Sequence, residues 1–234
     1  MQRGAAWSPI AERLAARHST LCLDLESDTL EGRIAEVAAS VPTGGVVVGY
    51  SMGGRLALHA ALHEPRGLSA LVTVGASAGI EDPKERAARR RSDGELARWI
   101  ETHTIEEVVA RWEAQPVFAT QPFELVAAQR AARLTHDPRR LAALLRGAGQ
   151  GASAPVWQRL DELRMPVLAV SGELDALYAS AARRLAESTP RGRFAIVPGA
   201  GHAAHLEAPE AFTELLLDFL DEHFGEGLVA HPDP

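Results

Sequence analysis

The sequence predicts an α/β fold, with a mostly parallel sheet and a helical insert, on three observations. Short runs rich in valine, isoleucine and leucine alternate with helical periodicity in both outer parts of the chain. That alternation stops between about residues 82 and 163, where only helical spacing is found. Finally, Val46-Val47-Val48 runs through Gly49-Tyr50-Ser51-Met52-Gly53 into an alanine- and leucine-rich stretch, which reads as a buried strand, a sharp turn and a helix.

In chain order, Pro9 to His18 carries Ile10 and Leu14 on one side, the spacing of a short helix. Thr20-Leu21-Cys22-Leu23-Asp24-Leu25 is a strand candidate, the first of about five in this chain. Leu30 to Val41 places Ile34, Val37, Ala38 and Val41 on one helical face, and Pro42-Thr43-Gly44-Gly45 ends it. The strand and turn at Val46–Gly53 follow, with a helix over 52–63 and a strand from Leu68 to Val74. From Asp82 to Leu163, four or five helical segments are broken at Pro116, Pro122, Pro138 and the glycines between 147 and 151. Val167 to Ser171 is again a strand, ending in Gly172-Glu173-Leu174-Asp175. A helix (177–188), a strand (Arg193 to Val197), the loop Pro198-Gly199-Ala200-Gly201-His202 and a helix (209–223) complete the pattern. The expected division is a core of 1–81 and 164–225, a helical cap of 82–163 and a tail of 226–234.

Composition narrows the function. The chain has 234 residues, 46% hydrophobic and 24% charged, with a net charge of −7. Acidic balance with no basic block argues against nucleic acid as a partner. Cys22 is the single cysteine, which excludes an internal disulfide and a multi-thiolate metal site. No apolar run reaches the length of a membrane span, and residues 1–20 lack a signal peptide's apolar centre, so the expected location is the cytoplasm. The expected partner is a small molecule, with no metal or organic cofactor. The oligomeric state stays open, a monomer included.

Ligands of open parallel sheets sit at the carboxyl ends of strands. Three such ends carry Ser51, Asp175 and His202. A serine hydroxyl needs an imidazole to take its proton, and the imidazole needs a carboxylate to hold its tautomer. The order serine, acid, histidine is the one α/β-hydrolases use, so these three are the catalytic candidates in an expected α/β-hydrolase fold. The turn is expected to force Ser51 into a strained backbone conformation, with Gly49 and Gly53 removing β-carbons that would clash, and to aim the amide of Met52 at an oxyanion. Asp175 could instead be a plain helix cap, with Glu173 as rival acid; His205 is the rival base.

Gly49-Tyr50-Ser51-Met52-Gly53-Gly54-Arg55 also resembles one family in particular, the 2-succinyl-6-hydroxy-2,4-cyclohexadiene-1-carboxylate synthases of menaquinone biosynthesis. The resemblance continues through Gly75-Ala76-Ser77-Ala78-Gly79-Ile80, Trp112-Glu113-Ala114-Gln115-Pro116-Val117-Phe118, Arg133-Leu134-Thr135-His136-Asp137-Pro138 and Gly199-Ala200-Gly201-His202-Ala203-Ala204-His205. It implies a lyase that removes pyruvate from a substrate with three carboxylates, its serine–histidine pair abstracting a carbon-bound proton. The substrate-binding candidates under it are Tyr50, Arg55, Arg89, Trp112 and Arg133. The residues make independent sense of an anionic substrate. Arg55 lies in the first turn of a helix, where the dipole disfavours a cation unless an anion offsets it. Residues 84–98 hold three more cations than acids in a chain of net negative charge. Against this, Arg55 could reach solvent, the arginines could form a solvated face, and Trp112 could be cap core.

The chain departs from the family pattern in two respects. Met1-Gln2-Arg3-Gly4-Ala5-Ala6-Trp7 resembles the segment just after the family's opening strand and His-Gly motif, and Glu26-Ser27-Asp28 replaces a Gly-His-Gly. The expectation is a sheet missing the strand between 20–25 and 45–49, one oxyanion donor fewer, and a chain less stable and less active than a form extended upstream. Two further readings stand beside the lyase: a serine esterase or carbon–carbon hydrolase with Ser51 as nucleophile, and a non-catalytic hydrolase-like binding protein.

Overall fold

The computed structural model describes residues 2–63 and 67–225; the expected tail at 226–234 lies outside them. After a 3-10 turn (Gly4–Trp7), the elements are α1 (Ser8–Leu14), α2 (Leu30–Ser40), β1 (Gly45–Tyr50), α3 (Met52–His63) and β2 (Leu68–Val74). Helices α4 (Pro83–Ile100), α5 (Ile105–Glu113), α6 (Phe123–Arg133) and α7 (Pro138–Ala148) come next. Then follow β3 (Val167–Gly172), α8 (Ala176–Glu187), β4 (Gly192–Val197), the one-turn α9 (Ala204–Glu207) and α10 (Pro209–Phe224).

Strands pair in the order β1-β2-β3-β4, all parallel. Period-two alternation divides their side chains between two layers. Leu71, Val167 and Ala169 pack with Ala57, Leu58 and Ala61 of α3 and Leu185 of α8. Val72, Val74, Leu168 and Val170 face the other way, against Ile10 and Leu14 of α1 and Phe212, Leu216 and Phe219 of α10. Burial on both faces explains why these strands read as nearly continuous apolar runs.

The expected strand at Thr20–Leu25 does not form, so among the described residues the sheet has four strands rather than five. A strand exists by its ladder, and this segment finds none. It runs instead against the first turn, where the Gly4 amide donates to Asp24 Oδ1 at 2.7 Å, and it leaves Leu21 72% exposed. Among the described residues β1 pairs with β2 alone and is an edge of the sheet.

The segment between β2 and β3 contains helices and no strand, as its periodicity required. Its punctuation is local chemistry. Asp82 and Asp137 accept amide hydrogen bonds at the starts of α4 and α7, each followed by proline at the first helical position. Thr104 and Glu107 form a reciprocal capping box on α5.

Candidate active site

The β1–α3 turn sets the site's geometry. Ser51 has φ of 51°, the one non-glycine residue in the left-handed region among the described residues. Such a conformation costs on the order of 1–3 kcal/mol and persists because the surroundings hold it. Here the Ser51 amide donates to the Val74 carbonyl at 2.8 Å. A β-carbon on Gly49 would lie 2.5 Å from the Gly53 carbonyl oxygen, and one on Gly54 would lie 2.6 Å from Ala76 Cβ. Gly53 is different from expectation: a β-carbon there meets nothing within 4 Å. The glycines the turn requires are therefore Gly49 and Gly54. Met52 opens α3, where the first amides have no intrahelical acceptor and remain available to an anion.

Two further strand ends supply the partners. His202 Nε2 lies 3.1 Å from Ser51 Oγ, and its Nδ1 lies 2.7 Å from Asp175 Oδ2. His202 is 4% exposed. With Nδ1–H donating to the carboxylate, Nε2 is left as acceptor for the serine hydroxyl, the tautomer the contacts require. Asp175 also caps α8, its Oδ1 accepting from the Tyr178 amide at 3.3 Å. One oxygen of Asp175 caps the helix and the other meets the histidine.

The rivals separate clearly. Glu173 turns to the other loop and accepts from the Gly199 amide at 2.8 Å. His205 is fully buried, stacked on Trp7 with ring centroids 4.2 Å apart, and neither nitrogen has a partner. Burial first, and the neighbouring His202 second, push its pKa down to about 3. It stays neutral and is not joined to Ser51.

Around the pair stand the expected binding residues. Tyr50 packs 5.2 Å from the His202 ring, its hydroxyl buried and unpartnered. Burial raises its pKa, helped by the charges of Glu207, Tyr178 and Asp175, while Arg133 acts in the opposite sense. Arg55 does not reach solvent: it is 8% exposed, and its Nη2 donates to the carbonyl of Ala148 at 3.0 Å. That carbonyl is at the negative end of α7, which offsets part of the conflict with the start of α3. Its Nε has no partner, and desolvation by burial lowers its pKa first of all. Arg55 has no acidic partner among the described residues.

The other two arginines are already paired. Arg133, 3% exposed, donates to Glu113 Oε1 at 3.0 Å, and Arg130 takes the other oxygen. Arg89 donates through Nε to Asp93 at 2.7 Å and through Nη1 to Gln150 at 2.6 Å, and is partly exposed. Trp112 packs on Phe118 at 5.3 Å, and Phe118 lies 6.2 Å from His202, so Trp112 stands behind the residue that meets the histidine. Tyr178, which sequence reasoning missed, lies 4.5 Å from the His202 ring, and both Arg55 and Arg89 act on its hydroxyl. Its signal was its place one turn after Asp175. No cluster of three or more potential metal ligands occurs among the described residues, and no helix among them is long and apolar enough to cross a membrane.

A strained serine at a strand–helix turn, with a carboxylate and an imidazole from beyond the ends of β3 and β4, defines a class. Residues 3–215 match the model of the alpha/beta hydrolase family, and the chain belongs to that family. Within it, a 2-succinyl-6-hydroxy-2,4-cyclohexadiene-1-carboxylate synthase of Salmonella schwarzengrund (strain CVM19633) is 33% identical over 174 residues, covering 74% of this chain and 67% of the relative. A Bacillus subtilis (strain 168) protein given the same name provisionally is 36% identical over 177 residues. That match covers 74% of this chain and spans 65% of the relative's length. Among solved structures, MenH from S. aureus superposes with a TM-score of 0.86 at 25% identity, over 94% of this chain and 90% of that one. A thermophilic esterase from Thermogutta terrifontis shares the fold at a TM-score of 0.71 and 22% identity.

Proposed function

We propose that this chain is a lyase of menaquinone biosynthesis. It would eliminate pyruvate from a cyclohexene carrying three carboxylates to give 2-succinyl-6-hydroxy-2,4-cyclohexadiene-1-carboxylate. The observation that carries the reading is a hydrogen-bonded Ser51–His202–Asp175 array beside a buried Arg55 that lacks an acidic partner. The array can accept a proton, and the arginine asks for an anion.

In this reading Ser51 Oγ takes the carbon-bound proton of the substrate while its own proton passes to His202 Nε2. Asp175 stabilises the resulting imidazolium. The electron pair released at carbon forms the new ring double bond as the ring carbon–oxygen bond breaks, and the leaving oxygen departs with pyruvate as its enolate. The Met52 amide is positioned to stabilise developing negative charge. Arg55 holds one carboxylate; Arg89 and Arg133, each already sharing a protein carboxylate, set the positive field around the others. The helical segment 82–163 serves as the cap that brings Arg89, Arg133 and Phe118 to the site.

The test is pyruvate release from the menaquinone-pathway intermediate by the purified chain. Release that disappears in Ser51→Ala supports the lyase. A folded protein that releases none, but forms a trappable acyl-Ser51 from simple esters, establishes the serine hydrolase instead. The same Ser–His–Asp geometry favours that second reading. A folded chain that does neither but binds the intermediate would be a binding protein.

A further inference from the structure

Glu207 stands outside the Ser51–His202–Asp175 array, yet its carboxylate holds the loop that carries His202. Its Oε2 accepts from the Gly201 amide at 2.8 Å, and its Oε1 accepts from the Ala203 amide at 3.0 Å. One carboxylate therefore grips the backbone on both sides of His202. The same Oε2 accepts from the hydroxyl of Thr120 at 2.8 Å. Thr120 belongs to the helical insert, in the loop between Phe118 and α6. The contact requires glycine at 201, where a β-carbon would stand 1.9 Å from Thr120 Oγ1 and 2.9 Å from Glu207 Oε2.

We propose that Glu207 is a positioning residue that sets where His202 stands between Asp175 and Ser51 and, through Thr120, ties that position to the helical insert. The proposal rests on the reading of His202 as the group that takes the Ser51 proton. The physical argument is one of leverage. The imidazole must keep contacts of 2.7 and 3.1 Å at its two ends at once, so a small loop displacement breaks one of them. Charge-assisted bonds to the flanking amides resist that displacement. Thr120 is exposed, so its bond opens more readily than the other two, and movement of the insert reaches His202 through a single carboxylate.

The test is the rate at which a fluorophosphonate labels Ser51 in the full chain. Ser51 Oγ attacks phosphorus, fluoride leaves, and the hydroxyl proton passes to His202 Nε2. The rate thus reads the Ser51–His202 pair whatever the physiological substrate is, and a failure of the pyruvate-release assay leaves the measurement intact. Glu207→Ala, shown to be folded by circular dichroism and a cooperative melt, is expected to label roughly ten-fold more slowly or worse. Glu207→Gln, which keeps one acceptor oxygen, should lose less. Thr120→Val should slow labelling by roughly two- to five-fold, a single surface hydrogen bond's worth, and Thr120→Ser should restore it. Because the route from Thr120 runs through Glu207, adding Thr120→Val to Glu207→Ala should cost nothing further. Wild-type labelling by a folded Glu207→Ala, or an undiminished effect of Thr120→Val in that background, overturns the proposal. If Glu207→Ala does not fold, Glu207→Gln and the Thr120 pair decide it, and wild-type labelling by both Glu207→Gln and Thr120→Val overturns it.

Discussion

Two histidines three residues apart show how much a single side chain's surroundings decide. His202 has a partner at each nitrogen; His205, one turn on, has none and is sealed against Trp7 and Tyr50. Ser51→Ala, Asp175→Asn and His202→Ala should each lower pyruvate release by roughly three to four orders of magnitude in folded protein. His205→Phe, which keeps the stack, should stay within a few-fold of wild type; the reverse pattern in steady-state assays would make His205 the base. His205 also predicts a pH dependence. The unfolded imidazole takes up a proton near 6.5 and the buried one only near 3, so the unfolded chain binds the extra proton between those values. Stability is then fully present above about pH 6.5 and falls as pH drops toward 3, by at most a few kcal/mol from this group. Denaturant melts across that range should show a shallower fall in His205→Phe. Arg55 carries the opposite kind of prediction. A buried cation without an acidic partner stabilises little, so Arg55→Met should leave the melt nearly unchanged while raising KM for the carboxylate substrate about ten-fold or more.

At the level of elements, the β1–α3 turn was read correctly as a unit and wrongly in one detail. Val46 to Leu58 was legible because a β-branched run, a glycine-flanked serine and a helix-forming stretch each point to the same structure. The assignment of Gly53 as a steric necessity was not, because which β-carbon clashes depends on the chain crossing behind the turn. Gly49→Ala should therefore be severely destabilising, since the atom it meets is backbone that cannot step aside. Gly53→Ala should leave stability equal or raise it by roughly 0.5–1 kcal/mol, the ordinary gain of alanine over glycine in a helix. Thermal melts of the two variants side by side check the contrast. The failed strand at Thr20–Leu25 has the same root. Its composition suits a strand, but a ladder needs a neighbour, and no local property of the segment supplies one.

Across the whole molecule, the sheet is sheltered unevenly. β2 and β3 are paired on both edges and buried throughout most of their length, whereas β1 among the described residues has one partner, and most of its residues are only partly buried. Hydrogen exchange should follow that asymmetry. Amides of β2 and β3 are expected to open only with global unfolding, and those of β1 not directed at β2 should exchange sooner. Uniform protection of all four strands would contradict it.

Strand–helix alternation, the helical insert and the three strand ends bearing Ser51, Asp175 and His202 were determined by the sequence alone, because period, turn residues and strand-end chemistry are local or follow from parallel-sheet topology. The tertiary structure decided everything that depends on distant segments meeting. It set His202 rather than His205 against Ser51, and Asp175 rather than Glu173 against His202, gave Arg89 and Arg133 the partners Asp93 and Glu113, and left Arg55 with a carbonyl 93 residues away. It also brought Glu207 and Thr120 to the backbone around His202. A side chain's partner is fixed by the packing of whole layers, and spacing along the chain carries no record of which layers will touch.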